Sequence, residues 1–276
     1  MLAEGGLRIV AHTSGGAVLI LQGRGISRGR ASGELLVLNK PFSFLGGVDP
    51  KTGELSTTSG LASANITGKV FAFPRGRGST VGSYTILQMR KEMTAPAGIV
   101  NEKAETIVAT GAVMAGVPMI DSVDLSLLRT GDRVAMDGDL GTIELIGVAE
   151  THVVTCILRH QGKILALKRS DKVGTYQGSW AGVSGFVEKD EIPRQTAFKE
   201  IREETGILEP KLIREAAPIP IRDRQRVWFV HPFLFEVGDM EVRIDWEHTE
   251  YRWIDPKEAE HLSAVPGYLR VLRALL

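Results

Sequence analysis

The stretch that most constrains this chain runs from Gly185 to Ile207, GFVEKDEIPRQTAFKEIREETGI. It reads as a loop, a turn and a helix. Pro193 suits the first helical turn, where its missing N–H costs no hydrogen bond, and Gly206 suits the left-handed stop. Between them Glu200, Glu203 and Glu204 stand at i, i+3 and i+4. At about 100° per residue the three carboxylates share roughly a 100° arc of one helix face. Ala197, Phe198 and Ile201 lie beside them and can anchor the helix in a core, while Lys199 and Arg202 take the remaining side. Like charges at this spacing repel by about 0.2–0.5 kcal/mol per pair. A cation would cancel that repulsion, and hard oxygen ligands select Mg2+ or Mn2+.

Taken alone, three glutamates also describe an ordinary solvated helix face. The residues upstream add a spacing. Gly185, five residues, Glu191, seven residues and then Lys199-Glu200-Ile201-Arg202-Glu203-Glu204-Thr205-Gly206-Ile207 closely resembles the Nudix box, G-x5-E-x7-R-E-U-x-E-E-x-G-U, with U aliphatic. Lys199 departs from it, standing where the family has Arg. Val183-Ser184-Gly185 also replaces the Pro-Gly-Gly that the family often carries there. The resemblance implies an α/β/α sandwich and Mg2+-dependent hydrolysis of a nucleoside diphosphate linked to another moiety, by attack of water at phosphorus. It implies that Glu200, Glu203, Glu204 and the carbonyl of Gly185 hold the metal, that Glu203 or Glu204 serves as base, and that Glu191 and Lys199 orient the ligands. Lysine lacks the bidentate fork of arginine, so a looser orientation is expected. Glu247 or Glu250 is a candidate further acid. Trp180, Trp228, Phe229 and residues 222–226 are candidates for substrate contacts, weighed against core and surface roles. His160, His231 and His248 show no H-x-x-x-H spacing, so zinc is not expected.

The chain has 276 residues, long for one domain and comfortable for two. Its 33 basic and 33 acidic residues balance, which gives no field for nucleic acid. No apolar run approaches the ~18 residues of a membrane span. Neither a basic flank nor a small-residue cleavage site marks a signal peptide. The single cysteine, Cys156, sits in the apolar run His152–Leu158 and reads as a buried small hydrophobe. A reducing cytoplasm fits, and one cysteine cannot hold an iron–sulfur cluster.

Residues 1–22 read as an N-terminal extension, a hairpin of 7–11 and 17–21. From 23 to 148 short β-like runs alternate with glycines and with two helix-like segments, 83–92 and 104–114, which describes a compact β/α domain. Its unusual piece is Pro74–Tyr84, PRGRGSTVGSY, between a strand and a helix. Glycines admit close backbone approach and a helix start favours an anion. Arg75 and Arg77 add charge. Neither a Walker loop nor a dinucleotide fingerprint is present, and a plain strand-to-helix turn capped by Thr80 or Ser83 is the simpler alternative.

Five segments in order, GRGISRGRASG (23–33), PFSFLGGVDP (41–50), GRGSTVGSY (76–84), APAGIVNEKAETIVAT (95–110) and TGDRVAMDGDLG (130–141), together resemble the small subunit of aconitase-X-type dehydratases. That resemblance implies a swivelling β/β/α domain that closes over a separate large subunit carrying a 4Fe-4S cluster. It assigns Ser79 as the base, with Arg75, Gly76, Arg77, Gly78 and Thr80 around the substrate. The phosphomevalonate type, of the mevalonate route to isoprenoids, is preferred over the hydroxyproline type. Residues 149–276 then form the Nudix domain, acting on a small-molecule diphosphate. The alternative makes that domain a ligand-sensing, regulatory module on the dehydratase subunit.

Overall fold

The computed structural model describes residues 18–57 and 64–276. Contacts divide the chain into two compact units, one ending at Ala149 and the other beginning at Glu150.

The first unit contains strands β1 (Val18–Gln22), β2 (Arg24–Ser27), β3 (Arg30–Val37), β4 (Val70–Phe73), β5 (Gly98–Asn101), β6 (Met119–Asp121), β7 (Arg133–Asp137) and β8 (Thr142–Ile146). They order as β1-β8-β7-β3-β4-β5-β6-β2. β3 to β6 run parallel, and the outer pairs are antiparallel. The distorted turn α1 (Phe44–Gly47) lies in the crossover from β3 to β4, while α2 (Val81–Lys91) and α3 (Thr106–Ala115) supply those from β4 to β5 and from β5 to β6. β4 and β5 are buried on both faces, as strands covered by helices must be. Phe42, Phe44, Phe71 and Phe73 meet edge-on or tilted at 4.9–6.4 Å and form the centre of this core. The expected hairpin arm 7–11 lies outside the described residues. Its partner run is β1, which pairs with β8 as an edge of the domain sheet.

The second unit contains β9 (Ala149–His160), β10 (Lys163–Arg169), β11 (Trp180–Ala181), β12 (Val183–Phe186), α4 (Pro193–Thr205), β13 (Lys211–Glu215), β14 (Ile219–Asp223), β15 (Arg226–Glu236), β16 (His248–Ile254) and α5 (Tyr268–Leu275). The sheet runs β11-β10-β9-β15-β13, with β12 on β9, β14 on β15 and β16 on β10. Period-two alternation sorts β9 cleanly. Val154, Cys156 and Leu158 face the core that holds Ala197 and Ile201 of α4, whereas Ile157 faces the core that holds Tyr268, Val271 and Leu272 of α5. The result is the expected α/β/α sandwich. Pro193 opens α4 and Gly206, at φ 72°, closes it.

Residues 175–184 contain β11 and open into β12. Residues 241–244 form no strand. Val242 and Ile244 do pack onto the α4 core, but the backbone N–H of Arg243 bonds to the Thr205 carbonyl at the end of α4 (2.9 Å), not to a strand.

Candidate functional site

α4 and β12 place Glu200 of the box against a cavity of about 280 Å³, which Glu191, Glu203 and Glu204 do not line. Glu200, Glu188, Glu247, Lys199 and Arg169 line it. Glu200 lies so close over Gly185 that a side chain at 185 would have to displace its carboxylate. Burial pushes the Glu200 carboxyl up. Lys199 opposes this, and the charges of Glu203, Glu247 and Glu191 reinforce it.

Glu204 is drawn inward. It is 2% exposed, and its Oε1 accepts a hydrogen bond from the Ser184 N–H at 3.1 Å. Its Oε2 has no hydrogen-bond partner and faces His248 Nε2 at 3.6 Å, which has none either. His248 Nδ1 lies 3.2 Å from Asp245 Oδ1. Burial holds the Glu204 carboxyl well above the usual range, and Glu200, Glu247 and Asp245 add to the effect. Glu203 is exposed, and its charge reaches Glu200. Among the described residues, no three His, Cys, Asp or Glu side chains already close a metal shell. The donor set nevertheless fits a divalent cation. A buried carboxylate oxygen without a partner, amid carboxyls that raise one another's pKa, is what a bound cation would relieve.

Glu191 is anchored locally. Its Oε2 accepts from Thr196 Oγ1 (2.9 Å) and from the Glu188 N–H (3.2 Å), and Lys199 acts on it through charge. Of the two further acids, Glu247 lines the cavity, with its carboxyl raised by burial. Glu250 instead bonds Arg252 Nε at 2.7 Å and is lowered by it. Trp180 is buried beneath Arg252, and Phe229 stacks on His152, so both are structural. Trp228 lines the cavity. Sequence reasoning passed over Asp245 and Arg169, and weighed His248 only as a zinc ligand. Only the pairing of β16 with β10, at Arg169 and His248, brings them to α4.

In the first unit the glycine-rich loop follows β4 and opens α2. Two backbone bonds staple it to the preceding loop: Phe42 N–H to Arg75 O (3.1 Å) and Arg77 N–H to Phe42 O (2.9 Å). Gly78 sits at φ 111°, and a Cβ there would meet Ser43 Oγ at 2.7 Å. A Cβ at Gly76 would meet Val108 at 2.6 Å. Ser79, Thr80, Arg75 and Arg77 are all exposed. Ser79 Oγ accepts from the Val81 N–H at 3.4 Å, and Thr80 makes no side-chain cap. Arg77 shares a recess of about 130 Å³ with Lys40 and Ser43, two residues the sequence did not single out.

The family model of the aconitase X swivel domain matches residues 20–145. The phosphomevalonate dehydratase small subunit of Pyrococcus furiosus is 52% identical over 127 residues, 46% of this chain and 95% of that protein. The chain belongs to the aconitase X swivel family. Its second half is a Nudix hydrolase domain, since the Nudix family model matches residues 150–275. Among solved structures, Thermococcus kodakaraensis aconitase X in its holo form is 49% identical, with 46% of this chain and 98% of that one covered and a TM-score of 0.45. The MutT protein of Methanosarcina mazei is 25% identical, with 45% and 91% covered and a TM-score of 0.40. The swivel domain thus carries the Ser79 loop, and the Nudix domain carries the acidic cavity. Among the described residues no helix is long and apolar enough to cross a membrane.

Proposed function

We propose that the Nudix domain hydrolyses a diphosphate bond in a small-molecule substrate. The observation that carries this is the cavity end at which Glu200 and Glu247 stand with Lys199 and Arg169. Carboxylates there suit a cation, and the two basic side chains suit phosphate oxygens. Mg2+ or Mn2+ held by Glu200, Glu203, Glu204 and the Gly185 carbonyl would polarise the phosphoryl group and neutralise its charge. Lys199 and Arg169 hold and orient the phosphates. Glu247, with its carboxyl raised by burial, joins Glu203 and Glu204 as a candidate to take the proton of the attacking water. Glu191 steadies the turn ahead of α4 through Thr196.

The swivel domain serves, on this reading, as the small subunit of an iron–sulfur hydro-lyase of the phosphomevalonate type. Its kinship with the small subunit of Pyrococcus furiosus supports that. A separate large subunit carries the cluster, because the only cysteine of this chain is buried in the second unit. Ser79 accepts the substrate proton, and Arg75 and Arg77 supply positive charge beside it.

Release of phosphate products from a panel of diphosphates, measured with and without Mg2+, tests the hydrolase. Binding without turnover would instead favour a ligand-sensing module.

A further inference from the structure

The turn that leads into β16 joins two acidic residues of the Nudix domain that belong to different elements. Glu204 stands in the last turn of α4, and Glu247 lines the cavity just ahead of β16. One oxygen lies behind both. Asp245 Oδ1 accepts the Glu247 N–H at 3.0 Å and meets His248 Nδ1 at 3.2 Å. The far nitrogen of that imidazole, Nε2, faces Glu204 Oε2 at 3.6 Å. The segment that carries Asp245 is itself tied down. Val242 and Ile244 pack onto the α4 core, and the Glu247 carbonyl accepts the Ser170 N–H at 2.7 Å.

An aspartate carboxylate only accepts hydrogen bonds, so the imidazole donates from Nδ1 and keeps its lone pair on Nε2. Nε2 then has no hydrogen to give to Glu204. Oε1 of Glu204 is committed to the Ser184 N–H at 3.1 Å, and Oε2 stays buried and unbonded. Released from Asp245, the ring is free to take the other tautomer. A shift of about half an ångström would then let Nε2–H donate to Oε2. That bond would occupy the carboxylate oxygen that a cation needs. The same loss would free the backbone of Glu247 from its turn.

We propose that Asp245 is a positioning residue of the metal site: it holds His248 in the tautomer that leaves Glu204 Oε2 open to a cation, and with the same oxygen it fixes the turn that brings Glu247 to the cavity. This rests on the metal-dependent hydrolase reading of that site. Asp245 lies outside the box and acts through its two neighbours, as residues behind a metal's ligands do.

The test uses the full chain and Mg2+ alone. Asp245→Ala removes the shared acceptor, and Asp245→Asn keeps an accepting oxygen in its place. Calorimetry should show Mg2+ bound roughly 10-fold or more weakly by Asp245→Ala, and within about 3-fold of the parent by Asp245→Asn. Nitrogen NMR of the chain labelled at histidine reads the tautomer directly. The His248 ring, identified by its loss in His248→Gln, should carry its proton on Nδ1 in the parent and on Nε2 in Asp245→Ala. Three results overturn the inference and leave the hydrolase standing: unchanged Mg2+ affinity in a folded Asp245→Ala chain, an equal loss in both Asp245 variants, or a parent ring with its proton on Nε2. The last needs only the parent, so it decides even where Asp245→Ala does not fold. A parent that binds no Mg2+ is a different failure, since it removes the metal-dependent reading itself and the inference with it.

Discussion

Glu204 and His248 face each other in the core of the Nudix domain, Oε2 to Nε2 at 3.6 Å, and neither atom is hydrogen-bonded. A divalent cation at the α4 carboxylates should therefore stabilise the domain, by about 2.7 kcal/mol when Mg2+ stands at 100 times its Kd. Glu204→Gln keeps the shape of the neutral carboxyl that burial favours and removes its capacity to ionise. The metal-free variant should be at least as stable as the parent, lose the Mg2+ response in calorimetry, and hydrolyse substrate on the order of 100-fold more slowly.

Gly185→Ala should act on the metal site more than on the fold. The added carbon displaces the Glu200 carboxylate, the far end of a flexible side chain. Thermal unfolding should change by about 1 kcal/mol or less, while Mg2+ affinity measured by calorimetry weakens.

His231 should stay neutral at mildly acid pH. Burial, assisted by His152 with its Nδ1 at 3.0 Å, pushes the imidazole of His231 down to about 4. An unfolded histidine binds its proton near 6.5, so between about 6.5 and 4 the unfolded state holds more protons. Stability from this site is present above 6.5 and is lost as pH falls through that window. The His231 ring resonances should titrate near 4, and His231→Gln should flatten the acid limb of urea midpoints.

In the swivel domain, Ser79→Ala assembled with a cluster-bearing large subunit should lower dehydration by roughly 100- to 10,000-fold if Ser79 is the base. Ser79 is exposed and only weakly bonded, so folding should be unaffected. Near-normal turnover by this variant would remove Ser79 from the mechanism.

Much of this was legible in the sequence because it is local. Pro193, Gly206 and the i, i+3, i+4 glutamates define α4 within one short segment, and the apolar run 152–158 marks the strand that becomes β9, though not which core each residue faces. Contacts built across the sheet were not legible. Nothing in the chain announces that His248 reaches Glu204, because that depends on the register of β16 against β10. The alternation of Val242 and Ile244 truly reports burial, but burial alone does not say where the backbone bonds go. Glu203 and Glu204 look equivalent as letters. One is exposed and the other buried, with its Oε1 bonded to the Ser184 amide.

Cys156 lies at 0% exposure, with its thiol pushed well above its usual pKa by burial and by the nearby carboxylates. Alkylating reagents act on exposed thiolates, so the native chain should be nearly inert to maleimide while folded. A cysteine introduced at an open position such as Met93, 85% exposed, would then take a fluorophore or spin label alone. Distance and orientation probes could be attached to this two-domain chain without first removing its own sulfhydryl.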